Sequence, residues 1–157
     1  SLEGTRPILI EVQALVSTAN FGTPQRNVNG FDLRRLSMLL AVLEKRMDLV
    51  MGVKDVFINL VGGLKVDDPA ADLPILCAIA SSFMDKSINE NIVFIGEIGL
   101  AGEIRSISRL GDRLSEVEAL GFNGAVVPEA SMNDKMKKSN LKIYPVTSVK
   151  QTFDILF

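Results

Sequence analysis

The chain has 157 residues, 47% of them apolar and 23% charged, with a net charge of −2. That balance fits one globular domain with a single substantial core, and it excludes both a disordered chain and a strongly basic nucleic-acid protein. No apolar run approaches the roughly 20 residues of a membrane span, and the opening "SLEGTRP" lacks a hydrophobic signal run, so a cytoplasmic placement is expected. The absence of histidine removes every His-based triad and every His-containing zinc site. The single cysteine, Cys77, lies in an apolar stretch and reads as a buried, inert thiol. Residues 1–50 carry six Lys/Arg against five Asp/Glu, and residues 51–157 carry eleven against fourteen. Any site for a polyanion must therefore be a local patch built by folding.

In chain order, "ILIEVQALVS" (8–17) alternates and is rich in β-branched residues, which predicts a strand. "TANFGTPQRNVNG" (18–30) is turn chemistry with Arg26 near its middle. "FDLRRLSMLLAVLEKRMDL" (31–49) predicts a helix whose stripe is Leu33, Leu36, Leu40, Leu43 and Met47. At 100° per residue Arg34 and Lys45 share the opposite side, with Arg35 and Arg46 a quarter-turn away. Met38 and Val42 fall among these cations, and that mixed face predicts a partly apolar subunit contact. "VFINLV" (56–61) reads as a strand and 70–86 as a helix, capped near Asp68 or Asp72, with Pro74 tolerated in its first turn. "IVFIGEI" (92–98) and "GEIRSIS" (102–108) read as strands around "GLAG", and "RLSEVEALG" (113–121) as a helix closed by Gly121. "GAVVP" (124–128) is a short buried strand, and "DKMKKSNLK" (134–142) is a basic surface stretch with Lys135, Lys137 and Lys138. A last strand "IYPV" and a last helix "SVKQTFDIL" follow. The alternation predicts an α/β domain of the two-layer α+β type, taken as one domain over residues 1–157.

The motifs are mostly negative. No G-x-x-x-x-G-K-[ST] occurs, and Gly62-Gly63 leads to Leu64-Lys65-Val66 instead of a helix, so no nucleotide site is expected in this chain. Asp67, Asp68 and Asp72 read as caps and dipole partners, and no metal site is assigned. The informative stretches are "VGGLKVDDPAAD" and "GEIGLAGEIRSISRLGDRLSEVEALGF" (96–122), which together resemble the proteolytic domain of Lon proteases. That family carries a G-P-S-A-G turn with the nucleophilic serine and a G-E-[IV]-T-L-x-G-x-V-x-P-[IV]-G-G-[IL]-K segment whose lysine is the base. Overlaying the two puts Ala70 at the serine and Gly111 at the lysine. A Ser-Lys pair needs a hydroxyl in contact with an amine of depressed pKa, and neither alanine nor glycine supplies one.

"GTPQRNVNGFDLRRLSMLLAVLEKR", "VFINLVGGLKVDDPAADLPILCAIASS" and residues 96–122 more specifically resemble the C-terminal Lon-like domain of the bacterial RadA (Sms) DNA-repair family, over essentially the whole chain. The resemblance implies a Lon proteolytic-domain-like fold and a fragment of a longer protein. A four-cysteine zinc motif and a RecA-like ATPase would lie outside this chain, and ATP, Mg and Zn with them. It also implies a homo-hexameric, ATP-driven DNA translocase acting in recombination and branch migration. In that setting Arg6, Arg34, Lys65 and Arg105 are the first candidates to line a DNA-facing surface, with Arg26, Arg35, Lys45 and Arg46 second. Salt bridges to Glu44 or Asp48 are the competing role for the second group. Two other readings stay open: a purely structural oligomerisation domain, and a serine peptidase with a relocated dyad using Ser37, Ser81 or Ser82. The last two more naturally bond back to their own helix.

Overall fold

The computed structural model describes residues 2–3, 6–7, 9–20, 22–61 and 66–157, with side chains from residue 9 onward. Among the described residues ten strands run in order: β1 (Leu2–Glu3), β2 (Arg6–Pro7), β3 (Val12–Thr18), β4 (Arg26–Asn29), β5 (Lys54–Leu60), β6 (Ile92–Phe94), β7 (Glu97–Ile98), β8 (Ile104–Arg105), β9 (Gly124–Pro128) and β10 (Lys142–Val146). Four α-helices are interleaved with them: α1 (Leu33–Met47), α2 (Asp72–Met84), α3 (Leu110–Ala119) and α4 (Val149–Leu156). The expected α/β alternation is observed. None of these helices is long and apolar enough to cross a membrane.

Six of these strands form two three-stranded sheets, and the other four form two antiparallel pairs, β1–β2 and β7–β8. In the first, β5 lies between antiparallel β3 and parallel β4. Its inner face, carrying Val56, Ile58 and Leu60, packs on α1 and α2, whose Leu36, Leu39, Leu43, Leu73, Leu76 and Ile79 are fully buried. In the second, β9 lies between parallel β6 and β10. Every residue of β9 is buried, as a parallel strand covered on both faces requires. Val126 joins the core with α2 and α4, while Ala125 and Val127 pack against Leu110, Leu114 and Val117 of α3. Gly124 is needed for this packing, since a Cβ there would lie 2.9 Å from the Lys142 carbonyl.

Several boundaries differ from the sequence pattern. The first strand starts at Val12, not residue 8, and Ile8 lies outside the described residues. The stretch read as pure turn contains β4, an edge strand with one apolar residue, Val28, held by parallel pairing to β5. The run 92–98 splits into β6 and β7, because Ile95 N–H turns to Val126 and Gly96 N–H to Ala70. Helix α3 begins at Leu110, three residues early, with Arg109 in the left-handed region before it. On α1, Leu33 is half exposed and Val42 is buried, so the mixed Met38/Val42 surface expected for a subunit contact does not exist: Val42 belongs to the core.

Candidate functional site

Strand β5 and helix α2 flank the turn on which the Lon-type nucleophile would sit. Pro69–Ala71 forms a single 3₁₀ turn that runs into α2, with Asp68 as its cap. Asp72, the other candidate cap, is the first residue of α2 and caps nothing. Ala70 is buried and its side chain offers no nucleophile. The donors of the turn are also taken. Ala70 N–H donates to Asp68 Oδ1 (3.0 Å), Ala71 N–H to Asp68 O (3.0 Å) and Asp72 N–H to Pro69 O. A tetrahedral oxyanion would need such N–H groups free.

The cation at this turn is Arg113. Its Nη1 donates to Asp68 Oδ2 (2.6 Å), Nη2 to Asp68 Oδ1 (3.2 Å) and Nε to Ser108 O (3.0 Å), with both charged side chains about 8% exposed. Burial pushes the Asp68 carboxyl up, but hydrogen bonds from Arg113 and Ala70 N–H, with the Arg113 charge, outweigh it and hold the carboxyl at about 2. A guanidinium carries its proton at any physiological pH and cannot act as a base. Gly111, the position counted for the lysine, lies two residues before Arg113 in the first turn of α3. A Cβ there would meet Met136 Cε at 3.6 Å, and the two-residue step to Arg113 turns the helix by about 200°. Sequence reasoning passed over Arg113 because it lay inside a helix. The signal was present: Arg113 sits on the stripe of Leu110, Leu114 and Val117, where a charge must find a buried partner. A groove of about 860 Å³ opens beside the turn, walled by Leu9, Pro74, Phe94, Ile95 and Phe122 among others.

The expected cations fall into distinct groups. Arg26 points inward and its guanidinium is held by the carbonyls of Lys54 and Met51 (Nη2 to Met51 O, 2.9 Å). Arg35 forms a two-pronged pair with the fully buried Asp72 (Nε to Oδ1, 2.8 Å), and Ile98 N–H donates to the same carboxylate at 3.0 Å. The Asp72 hydrogen bond raises the Arg35 pKa, and Glu97 contributes by its charge. Both arginines are therefore structural, tying β4 to β5 and α1 to α2 and β7. Arg34, one residue earlier, is 95% exposed and only loosely paired with Asp32 (3.7 Å). Arg105 is 59% exposed, with Glu97 and Glu103 at 3.8 and 3.6 Å. Arg46 joins it at the β7–β8 hairpin, since a Cβ on Gly102 would lie 3.4 Å from Arg46 Cγ. Gly102 itself has φ of +79°, which the tight turn demands. Lys45 is exposed in the last turn of α1. The Arg6 side chain and all of Lys65 lie outside the described residues.

The serines considered for a relocated dyad are otherwise engaged. Ser37 Oγ bonds back to Leu33 O (3.2 Å), Ser81 Oγ donates to Lys86 O, and Ser82 Oγ accepts Val16 N–H at 2.9 Å. Cys77 is fully buried, and burial pushes its thiol up, away from the reactive thiolate. Among the described residues no group of three or more Cys, Asp and Glu side chains is placed to hold a metal ion.

An α/β domain with a strand–turn–helix unit at its centre, carrying alanine and a buried Asp–Arg pair where a hydrolase would carry its nucleophile, is the class that the fold and site define. The chain belongs to the family described as subunit ChlI of Mg-chelatase, whose model matches residues 12–131. It is similar to the DNA repair protein RadA of Bacillus subtilis (strain 168), 44% identical over 151 residues, which cover 96% of this chain and 33% of the relative. The RadA proteins of Streptococcus pneumoniae (41% over 157 residues, 100% and 37% of the two chains) and Aquifex aeolicus (42% over 156 residues, 99% and 34%) are similar to it as well. The chain spans about a third of the length of these curated relatives.

Proposed function

We propose that this chain is a proteolytically silent, DNA-binding and ring-forming module of a RadA-type DNA repair protein. In this reading it supports an ATP-driven branch-migration motor whose ATPase and zinc motif lie elsewhere in the longer, cytoplasmic protein. One observation carries the DNA reading: among the exposed cations, Arg34, Lys45 and Arg46 lie on the outer side of α1 and Arg105 lies on the β7–β8 hairpin, where Arg46 reaches Gly102. Arg6 and Lys65 complete the proposed set; Arg26 and Arg35 leave it, because their guanidinium groups are committed within the fold. Guanidinium and ammonium groups on a surface contact phosphates and not base edges, so binding is independent of sequence.

The test is a fluorescence-anisotropy titration against a random duplex and a random single strand. Arg34→Ala, Arg46→Ala, Lys65→Ala and Arg105→Ala should each weaken binding severalfold; for Arg34, Arg46 and Arg105 the melting temperature should stay nearly constant, since exposed charges contribute within about 0.5 kcal/mol. Lys137→Ala with Lys138→Ala is the control, as these lysines lie on a 3₁₀ turn outside α1 and the β7–β8 hairpin and Lys137 pairs with Asp134 at 3.6 Å. Equal affinity across all variants would move the DNA surface elsewhere. Absence of binding at low salt, even in an assembled ring, would leave only the oligomerisation role.

A further inference from the structure

Among the described residues, no element covers the outward face of the β3–β5–β4 sheet. Alternation along the strands puts Gln13, Leu15 and Ser17 of β3, Asp55, Phe57 and Asn59 of β5, and Asn27 and Asn29 of β4 on this side. The pairing aligns them in rows: Gln13 with Asn59 and Asn29, Leu15 with Phe57 and Asn27, Ser17 with Asp55. Asn29 donates to Asn59 and Asn59 to Gln13, each at 3.3 Å, so one row is a continuous amide ladder. Leu15 is 58% exposed, and the valines flanking β5, Val53 and Val61, are 56% and 39% exposed. Among the outward residues within the three strands the one charge, Asp55, already accepts Gln25 N–H at 2.7 Å. A shallow depression of about 490 Å³ lies over the rows.

We propose that this face is a two-fold contact between two copies of the chain. The order of side chains along β5 is the reason. Val53, Asp55, Phe57, Asn59 and Val61 read apolar, polar, aromatic, polar, apolar in either direction. A two-fold axis lying between the sheets, across the strands and over the Leu15–Phe57–Asn27 row, sets Phe57 against Phe57 and Leu15 against Leu15. The same operation sets Val53 over Val61, Gln13 over Ser17, and Asp55 over Asn59, whose amide can donate to the carboxylate. Every pair matches in character, which is what an isologous interface requires. Nucleic acid does not suit this face, because its outward residues include no cation to meet phosphate. Sheets packed face to face sit about 10 Å apart. Three strands and the length from residue 53 to 61 give roughly 400 Å² per copy, about half of what a stable standard interface buries on each side. The dimer is therefore weak, and it is distinct from the cyclic contact of a ring.

Sedimentation equilibrium of the chain, from about ten micromolar to about one millimolar, should show a reversible monomer–dimer equilibrium. Leu15→Lys should weaken it at least tenfold. Asn27→Cys keeps the fold in any case, being an exposed edge substitution; on the axis it faces its own copy across the roughly 10 Å between sheets, too far for a disulfide, so a short bis-maleimide cross-linker should link it into a covalent dimer faster than Asn29→Cys. Cys77, fully buried, stays silent in that assay. Arg34→Ala and Arg105→Ala, which test DNA binding, should leave the dimer constant unchanged, so the two readings fail separately. A wild-type chain that stays monomeric throughout overturns the proposal, with another protein then the natural occupant of the face. A dimer indifferent to Leu15→Lys, or Asn27→Cys linking no faster than Asn29→Cys, overturns it as well.

Discussion

Asp68 and Arg113 stabilise the turn that leads into α2. A carboxylate over the first N–H groups of a helical segment does what an N-cap does, and its second bond to Arg113 crosses from α2's entrance to α3. Taking away one partner leaves the other buried and unpaired, so Asp68→Asn should cost about 3 kcal/mol. The pH dependence has a defined sign. The folded carboxyl is depressed from its ordinary 3.8 to about 2. Its contribution is thus complete above pH 4 and disappears as pH falls through about 2. The stability difference between wild type and Asp68→Asn should be flat from pH 5 to 8 and shrink by about 2 kcal/mol on acidification below pH 4. Urea unfolding at a series of pH values reads this directly, and a difference that grows on acidification would contradict the pairing.

At the scale of elements, what was legible depended on how much of each segment's energy is local. Helix α1 is written in its own residues, with Asp32 capping Arg34 N–H at 2.9 Å and Leu36, Leu40 and Leu43 one turn apart on the buried side. Strand β9 is five buried residues between turn residues, and its bounds were read correctly. Strand β4 is the opposite case: Arg26, Asn27 and Asn29 have no strand pattern of their own, and the order comes from a parallel partner and from Arg26's bonds to distant carbonyls. That the turn of the β5–turn–α2 unit carries alanine was legible from Ala70 alone, but the ion pair beside it was not, because Arg113 is 45 residues from Asp68. The unit now carries three obstacles to peptide hydrolysis: no nucleophile, donors bonded to Asp68, and an arginine where a base is needed. Ala70→Ser should therefore yield no cleavage of casein above buffer background. Turnover that co-elutes with the variant through two chromatographic steps would show that the turn retains a usable oxyanion site.

For the molecule as a whole, charge sets the terms on which DNA can be held. A chain of net charge −2 is repelled by a polyanion at long range, so binding must come from a few close contacts. Four cations at the α1 and β7–β8 surface, Arg34, Lys45, Arg46 and Arg105, allow about four phosphate contacts in the described part of the chain. Each neutralised phosphate on a duplex adds about 0.9 to the slope of log affinity against log salt. The single chain should thus bind weakly, with a slope near −3.5, and each alanine substitution should reduce the slope by about one unit. Joining two chains by a flexible linker should raise apparent affinity by about 100-fold or more and nearly double the slope, because the second contact becomes intramolecular. Anisotropy at four salt concentrations, on single and linked chains, measures both quantities. A slope unaffected by Arg34→Ala and Arg105→Ala would mean that these cations do not touch phosphate. A linked pair no tighter than the single chain would mean that the surface cannot act in concert with copies of itself, which is what a ring on DNA demands.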